Sequence, residues 1–128
     1  MPKNILVIDD EGLVTKSLKR LLGKEGYNAV VATSGQEAIE KFKNAEFDLV
    51  ISDVRMPELD GIATIEKLRQ LQSELGRKPV PEILITGYTD EDKYKNALKL
   101  KVADYIFKPF DTEQFLETIK RNLNVTEK

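Results

Sequence analysis

Leu49-Val50-Ile51-Ser52-Asp53-Val54-Arg55-Met56-Pro57 is an apolar run that stops on a carboxylate, and its reading decides the fold. Three bulky aliphatic residues in succession suit a strand buried on both faces, the condition of a parallel sheet. A second run, Ile5-Leu6-Val7-Ile8, ends the same way, on Asp9 and Asp10. If the two strands lie side by side and parallel, three carboxylates meet at one sheet edge. Like charges at that separation raise one another's pKa and destabilise the fold unless a cation sits among them. The pattern therefore points to a hard divalent ion and to chemistry performed beside it.

The rest of the chain narrows that chemistry. At 128 residues with 41% hydrophobic and 33% charged residues, it is expected to form one domain over 1–128, with its core at about 4–123. There is neither cysteine nor histidine. That excludes disulfides, the usual zinc sites, a Ser-His-Asp triad and a Cys-His nucleophile. Any metal must be held through oxygen, which favours magnesium, manganese or calcium. A formal net charge of −2 argues against binding nucleic acid by bulk electrostatics. No apolar run approaches the ~20 residues of a membrane span, so a cytoplasmic location and no membrane partner are expected.

Five short apolar runs recur, at 5–8, 29–32, 49–51, 83–85 and 105–107, separated by segments of helical periodicity. Val14, Leu18, Leu21 and Leu22 share one helix face. Ala38, Phe42 and Ala45 share another, as do Ile65, Leu68 and Leu75, with Ile62 and Leu71 beside them, and Phe115, Ile119 and Leu123. The 90–100 segment is carried by Tyr94, Ala97 and Leu98. Ser34 with Glu37 forms a capping box, and Asp111 with Gln114 a looser one. Gly26 and Gly76 suit the left-handed residue that ends a helix. Strands alternating with helices five times imply a doubly wound α/β fold: a five-stranded parallel sheet with five helices on both faces. In a flavodoxin-like strand order 2-1-3-4-5, the ligand-binding crevice opens between strands one and three, the two that carry the acids.

Residues at the ends of the other strands fit the same site. Thr86-Gly87 comes after the fourth, and Lys108-Pro109 after the fifth. Three acids, a hydroxyl and an ammonium at neighbouring strand ends can serve phosphoryl transfer, in which a carboxylate acts as nucleophile and a divalent ion neutralises phosphoryl oxygens. Lys108 would add a point charge and Thr86 a hydrogen-bond donor.

On these motifs the chain resembles a receiver domain of the two-component response-regulator family over essentially its whole length, and in particular the chemotaxis-type single-domain receiver. The residues that carry the likeness are Asp9-Asp10, Asp53-Val54-Arg55-Met56-Pro57 with Asp60-Gly61, Thr86, and Asp104-Tyr105-Ile106-Phe107-Lys108-Pro109-Phe110. The resemblance implies that Asp53 is the phospho-acceptor, served by Lys108 and Thr86. It implies that Asp10, Asp53 and the backbone carbonyl of Arg55 ligate Mg2+, or Mn2+ in its place, with Asp9 acting through water. It also implies a cis Lys108-Pro109 bond and a switch made by Thr86 and Tyr105. The implied partners are a sensor histidine kinase or a histidine phosphotransfer protein, a downstream effector, and a second copy in a phosphorylation-dependent homodimer through the 90–122 face. Such a domain catalyses only its own phosphorylation and dephosphorylation and is not an enzyme in the ordinary sense.

Two alternatives stand beside this reading. The chain is equally consistent with a receiver excised from a longer transcriptional regulator. An aspartyl-nucleophile phosphatase would share the ion and the nucleophile, but it usually carries a second acid two residues later, where this chain has Arg55. Arg55 and Tyr88 are expected to overhang the site and to shield an acyl phosphate from water.

Overall fold

The computed structural model describes residues 2–54, 60–87 and 98–126, with side chains up to Leu123. Five strands, β1 (Asn4–Ile8), β2 (Asn28–Ala32), β3 (Leu49–Asp53), β4 (Glu82–Gly87) and β5 (Asp104–Lys108), form one sheet. Every neighbouring pair is parallel and the order is β2-β1-β3-β4-β5. The helices are α1 (Gly12–Lys24), α2 (Gly35–Asn44), α3 (Gly61–Glu74), α4, helical at 98–100 among the described residues, and α5 (Thr112–Thr126). This is the doubly wound architecture and strand order expected.

Alternation along the strands divides the core into two layers, because successive side chains point to opposite faces. Ile5, Val7, Ile83, Ile85 and Ile106 pack with Leu18 and Leu22 of α1 and with Phe115, Ile119 and Leu123 of α5. Leu6, Ile8, Val50 and Leu84 pack on the other face with Ala38 and Phe42 of α2 and Ile65 and Leu68 of α3. Leu100, Val102 and Tyr105 are half-buried against this second layer.

Local signals end the elements where the sequence places them. Ser34 Oγ accepts from the Glu37 amide, and the Glu37 carboxylate reaches back to the Thr33 amide. Asp60 and Asp111 cap α3 and α5 by accepting from Ala63 and Gln114. Gly26 and Gly76 have φ of +88° and +67°, a conformation that costs glycine little. Two helix-face expectations are corrected. Ala45 caps α2 in an extended conformation and Leu75 caps α3, and both are exposed because each helix has ended before the periodicity reaches them. Leu98 is exposed as well. Tyr94 and Ala97 lie outside the described residues.

The strands are longer than their apolar runs. Asp53 pairs with Ile85, Thr86 with Phe107 and Gly87 with Lys108. These polar residues are thus strand residues rather than the first residues of loops, since ladder hydrogen bonds extend as far as a neighbouring strand can answer them.

Candidate functional site

The site forms where β1 and β3 end together. Ile8 pairs with Ser52, which brings Asp9, the next residue, level with Asp53. The Asp9 amide bonds the Ala32 carbonyl at 3.0 Å, so β2 fixes its backbone. The carboxylates of Asp9, Asp10 and Asp53 each place an oxygen within 4.8 Å of the others. Asp9 and Asp53 are buried and Asp10 is exposed. Asp10 thus opens the cluster to solvent beyond the carboxyl ends of the strands.

Lys108, at the end of β5, donates from Nζ to Asp53 Oδ2 at 2.7 Å. Burial works against the lysine's charge, but its hydrogen bond to Asp53 and the charge of Asp53 outweigh that and hold its pKa above the usual value. Asp9 is less well served. Its Oδ1 accepts from the Glu11 amide at 3.0 Å, while its Oδ2 is buried with no hydrogen-bond partner among the described residues. Burial, opposed by the Glu11 bond and reinforced by the Asp53 charge, pushes its pKa up to about 6. A buried carboxylate oxygen without a donor costs free energy of a few kcal/mol. A divalent cation would satisfy it.

The donor set fits such an ion. Among the described residues it consists of carboxylate oxygens, in the mixture of buried and exposed positions that lets a hard cation keep part of its water. Asp9, Asp10 and Asp53 are the residues that could hold it. Arg55, whose carbonyl was expected to join them, lies outside the described residues, as do Met56, Pro57 and Tyr88.

Thr86 is buried one residue beyond Ile85, the β4 partner of Asp53, and its hydroxyl donates to the Gly87 carbonyl across a long 3.5 Å. Tyr105 is half-buried on β5 opposite Leu84. The Lys108-Pro109 peptide bond is cis.

Gly61 meets a requirement that only the folded chain explains. Its amide donates to the Val54 carbonyl at 3.0 Å. A Cβ built there would lie 2.1 Å from the Asp53 carbonyl oxygen and 2.9 Å from Val54 Cα. Only glycine lets the start of α3 close against the backbone of the central acid. The Asp60-Gly61 pair was the available signal, and its meaning lay in a contact across seven intervening residues. Two further networks carried no sequence signal. Asp104 accepts from Arg121 at 2.6 Å and from Asn122 at 3.1 Å, and Arg69 makes a fork to Glu82.

Among the described residues, no helix is long and apolar enough to cross a membrane. A sequence model of the response regulator receiver domain matches residues 5–120. The chain is 37% identical over 120 residues to the transcriptional regulatory protein ZraR of Escherichia coli K12, covering 94% of this chain but 26% of that protein. It thus spans about a quarter of the length of that curated relative. It is 31% identical over 125 residues to the chemotaxis protein CheY of Bacillus subtilis, covering 97% of this chain and all of that one. A solved CheY-like receiver domain from Methanospirillum hungatei superposes with a TM-score of 0.88 at 30% identity, over 99% of this chain and 98% of that one.

Proposed function

The chain belongs to the response regulator receiver domain family, and we propose that it is switched by accepting a phosphoryl group on Asp53 from a phosphohistidine of a partner protein. The donor acts in trans, because this chain contains no histidine. Asp53 attacks phosphorus through a carboxylate oxygen; a P–O bond forms, the P–N bond to the donor imidazole breaks, and the imidazole leaves with its electron pair and takes up a proton. The product is an acyl phosphate. Lys108 leaves its 2.7 Å bond to Asp53 Oδ2 for a phosphoryl oxygen, so its charge stays where negative charge accumulates. Asp10 and Asp53, with Asp9 beside them, would hold the divalent ion, Mg2+ by this reading, which would supply charge neutralisation at the phosphoryl oxygens.

The modification adds about 1.5 to 2 negative charges at neutral pH. The Thr86 hydroxyl answers it most readily, because its present bond, at 3.5 Å, is too long to hold it strongly. Its movement toward the phosphoryl group opens space on that face of the sheet for Tyr105, the second half of the switch. Whether the output is carried by this domain, as in a protein of CheY's length, or by a further domain, as in a regulator of ZraR's length, both kinds of relative use a receiver of this size.

The observation that carries this reading is the convergence of Asp9, Asp10 and Asp53 within 4.8 Å, with one buried oxygen of Asp9 unpartnered and Lys108 already on Asp53. Incubation with acetyl phosphate tests it. One phosphoryl group per chain is expected, abolished by chelation and by Asp53→Asn. Label that survives the substitution would place the acceptor elsewhere.

A further inference from the structure

Among the described residues three carboxylates are buried: Asp9, Asp53 and Glu82. The first two belong to the phosphorylation site. Glu82 sits at the opposite end of β4 and takes no part in it. Its carboxylate receives a fork from Arg69 of α3, with Nε at 3.0 and 3.1 Å and Nη2 at 2.6 Å. An ion pair between a buried carboxylate and an arginine whose side chain is 36% exposed adds little to stability, so stability alone does not account for it. Its location does.

Glu82, Leu84 and Thr86 alternate onto one face of β4, the face whose Leu84 packs in the α2–α3 layer. Tyr105 packs against that same layer and pairs in register with Leu84. The tyrosine therefore stands between Thr86 on one side and Glu82 on the other, each about 7 Å along the strand direction. The register that pairs Tyr105 with Leu84 places it diagonal to Glu82, the residue that Arg69 grips, and Tyr105 is among the groups whose charge would bear on Arg69. On the Arg69 side, a cleft of about 860 Å³ between α3 and the α4–β5 turn is bordered by Glu82, Leu100, Lys101 and Ala103. A guanidinium attracts both a phenol oxygen and an aromatic face.

We propose that Arg69 and Glu82 are a positioning pair for Tyr105. They anchor the ring toward the cleft and away from Thr86, and so set how far phosphorylation must shift the equilibrium. Glu82 holds the guanidinium in place, and Arg69 acts on the tyrosine. This rests on the reading of Thr86 and Tyr105 as the switch.

The test is 19F NMR of protein carrying 3-fluorotyrosine, with the Tyr105 resonance assigned among the four tyrosines by Tyr105→Phe. Beryllofluoride with Mg2+ serves as the phosphoryl mimic and defines the switched position. Without beryllofluoride, the resonance in Arg69→Met/Glu82→Leu should already be displaced toward the switched position, by an increase of at least about fivefold in the ratio of switched to resting ring, the low end of coupling between sites. Arg69→Lys, which keeps the charge but loses the fork, should move it less and in the same direction. Labelling by acetyl phosphate should stay at the wild-type level in both. A Tyr105 resonance at its wild-type position in both variants, or in Arg69→Lys alone should the double variant not fold, overturns the proposal. A wild-type resonance indifferent to beryllofluoride, in protein that acetyl phosphate labels normally, would instead sink the reading of Tyr105 as the switch, and the proposal with it.

Discussion

Asp9 is the residue at which function is set most plainly against stability. Its folded pKa, raised to about 6, lies above the ordinary carboxylate value of about 3.9. An acid shifted upward holds its proton more tightly when folded, so its contribution to stability is complete below about pH 4. That contribution is lost as pH rises through 6. In chelator, the wild-type protein should lose on the order of 2–3 kcal/mol from this group between pH 4 and 7. Asp9→Asn should remove most of that loss, as read from urea midpoints at the two pH values. Equal pH dependence in both proteins would show that Asp9 ionises without penalty. Gly61 makes a different demand. In Gly61→Ala the new Cβ meets the Asp53 carbonyl oxygen at 2.1 Å, and backbone cannot rotate aside as a side chain can. A stability loss of about 1–3 kcal/mol is expected, together with slower labelling from acetyl phosphate, because the backbone of Asp53, the proposed acceptor, must move. A loss below about 0.5 kcal/mol would mean that α3 can withdraw without consequence.

At the scale of elements, the helices are tied to their neighbours by polar side chains that end on backbone or on a carboxylate, as well as by their apolar faces. The last turn of α2 has no glycine after it. Its free carbonyls at Phe42, Lys43 and Ala45 accept from the Arg77 guanidinium, which also lies 5.8 Å from the Phe42 ring centroid. One residue from the α3–β4 connection thus closes a helix end more than 30 positions earlier in the chain. Arg77→Ala should cost about 1–2 kcal/mol, with faster amide exchange confined to the end of α2 and labelling of Asp53 unchanged. Exchange that rises equally across the sheet would show that Arg77 supports the whole fold instead. On the other face, Arg121 and Asn122 of α5 grip Asp104. Burial opposes the ionised Asp104, but these bonds prevail and its pKa is lowered. The contribution of that network is present above the unfolded pKa of about 3.9 and disappears as pH falls through the lower folded value.

For the molecule as a whole, the acid cluster couples ion binding to folding. A cation that binds the folded chain and not the unfolded one stabilises it by about 2.7 kcal/mol at a hundred times its dissociation constant. Saturating Mg2+ should therefore raise the unfolding midpoint of the wild type and have much less effect on Asp10→Asn. Asp10 is exposed, so its substitution should leave the fold intact in chelator. Equal stabilisation of the two proteins would move the ion elsewhere. The parallel sheet makes this coupling direct, since the neighbouring strands β1 and β3 each deliver an acid to the same edge.

The sequence alone was enough to settle the number and kind of elements, the parallel sheet and the gathering of acids at its carboxyl edge. These rest on the spacing of apolar residues and on short capping and turn patterns such as Ser34 with Glu37, which are local properties of a chain. Tertiary structure decided the rest. It drew Asp53, Thr86 and Lys108 into the strands, brought Lys108 onto Asp53, closed Gly61 against the Asp53 backbone and set Arg69 against Glu82. Each of these joins residues 8 to 55 positions apart, and each was settled when strands paired or a helix packed on the sheet. No periodicity along the chain encodes such a contact, because its energy belongs to two segments that become neighbours only once the core has formed.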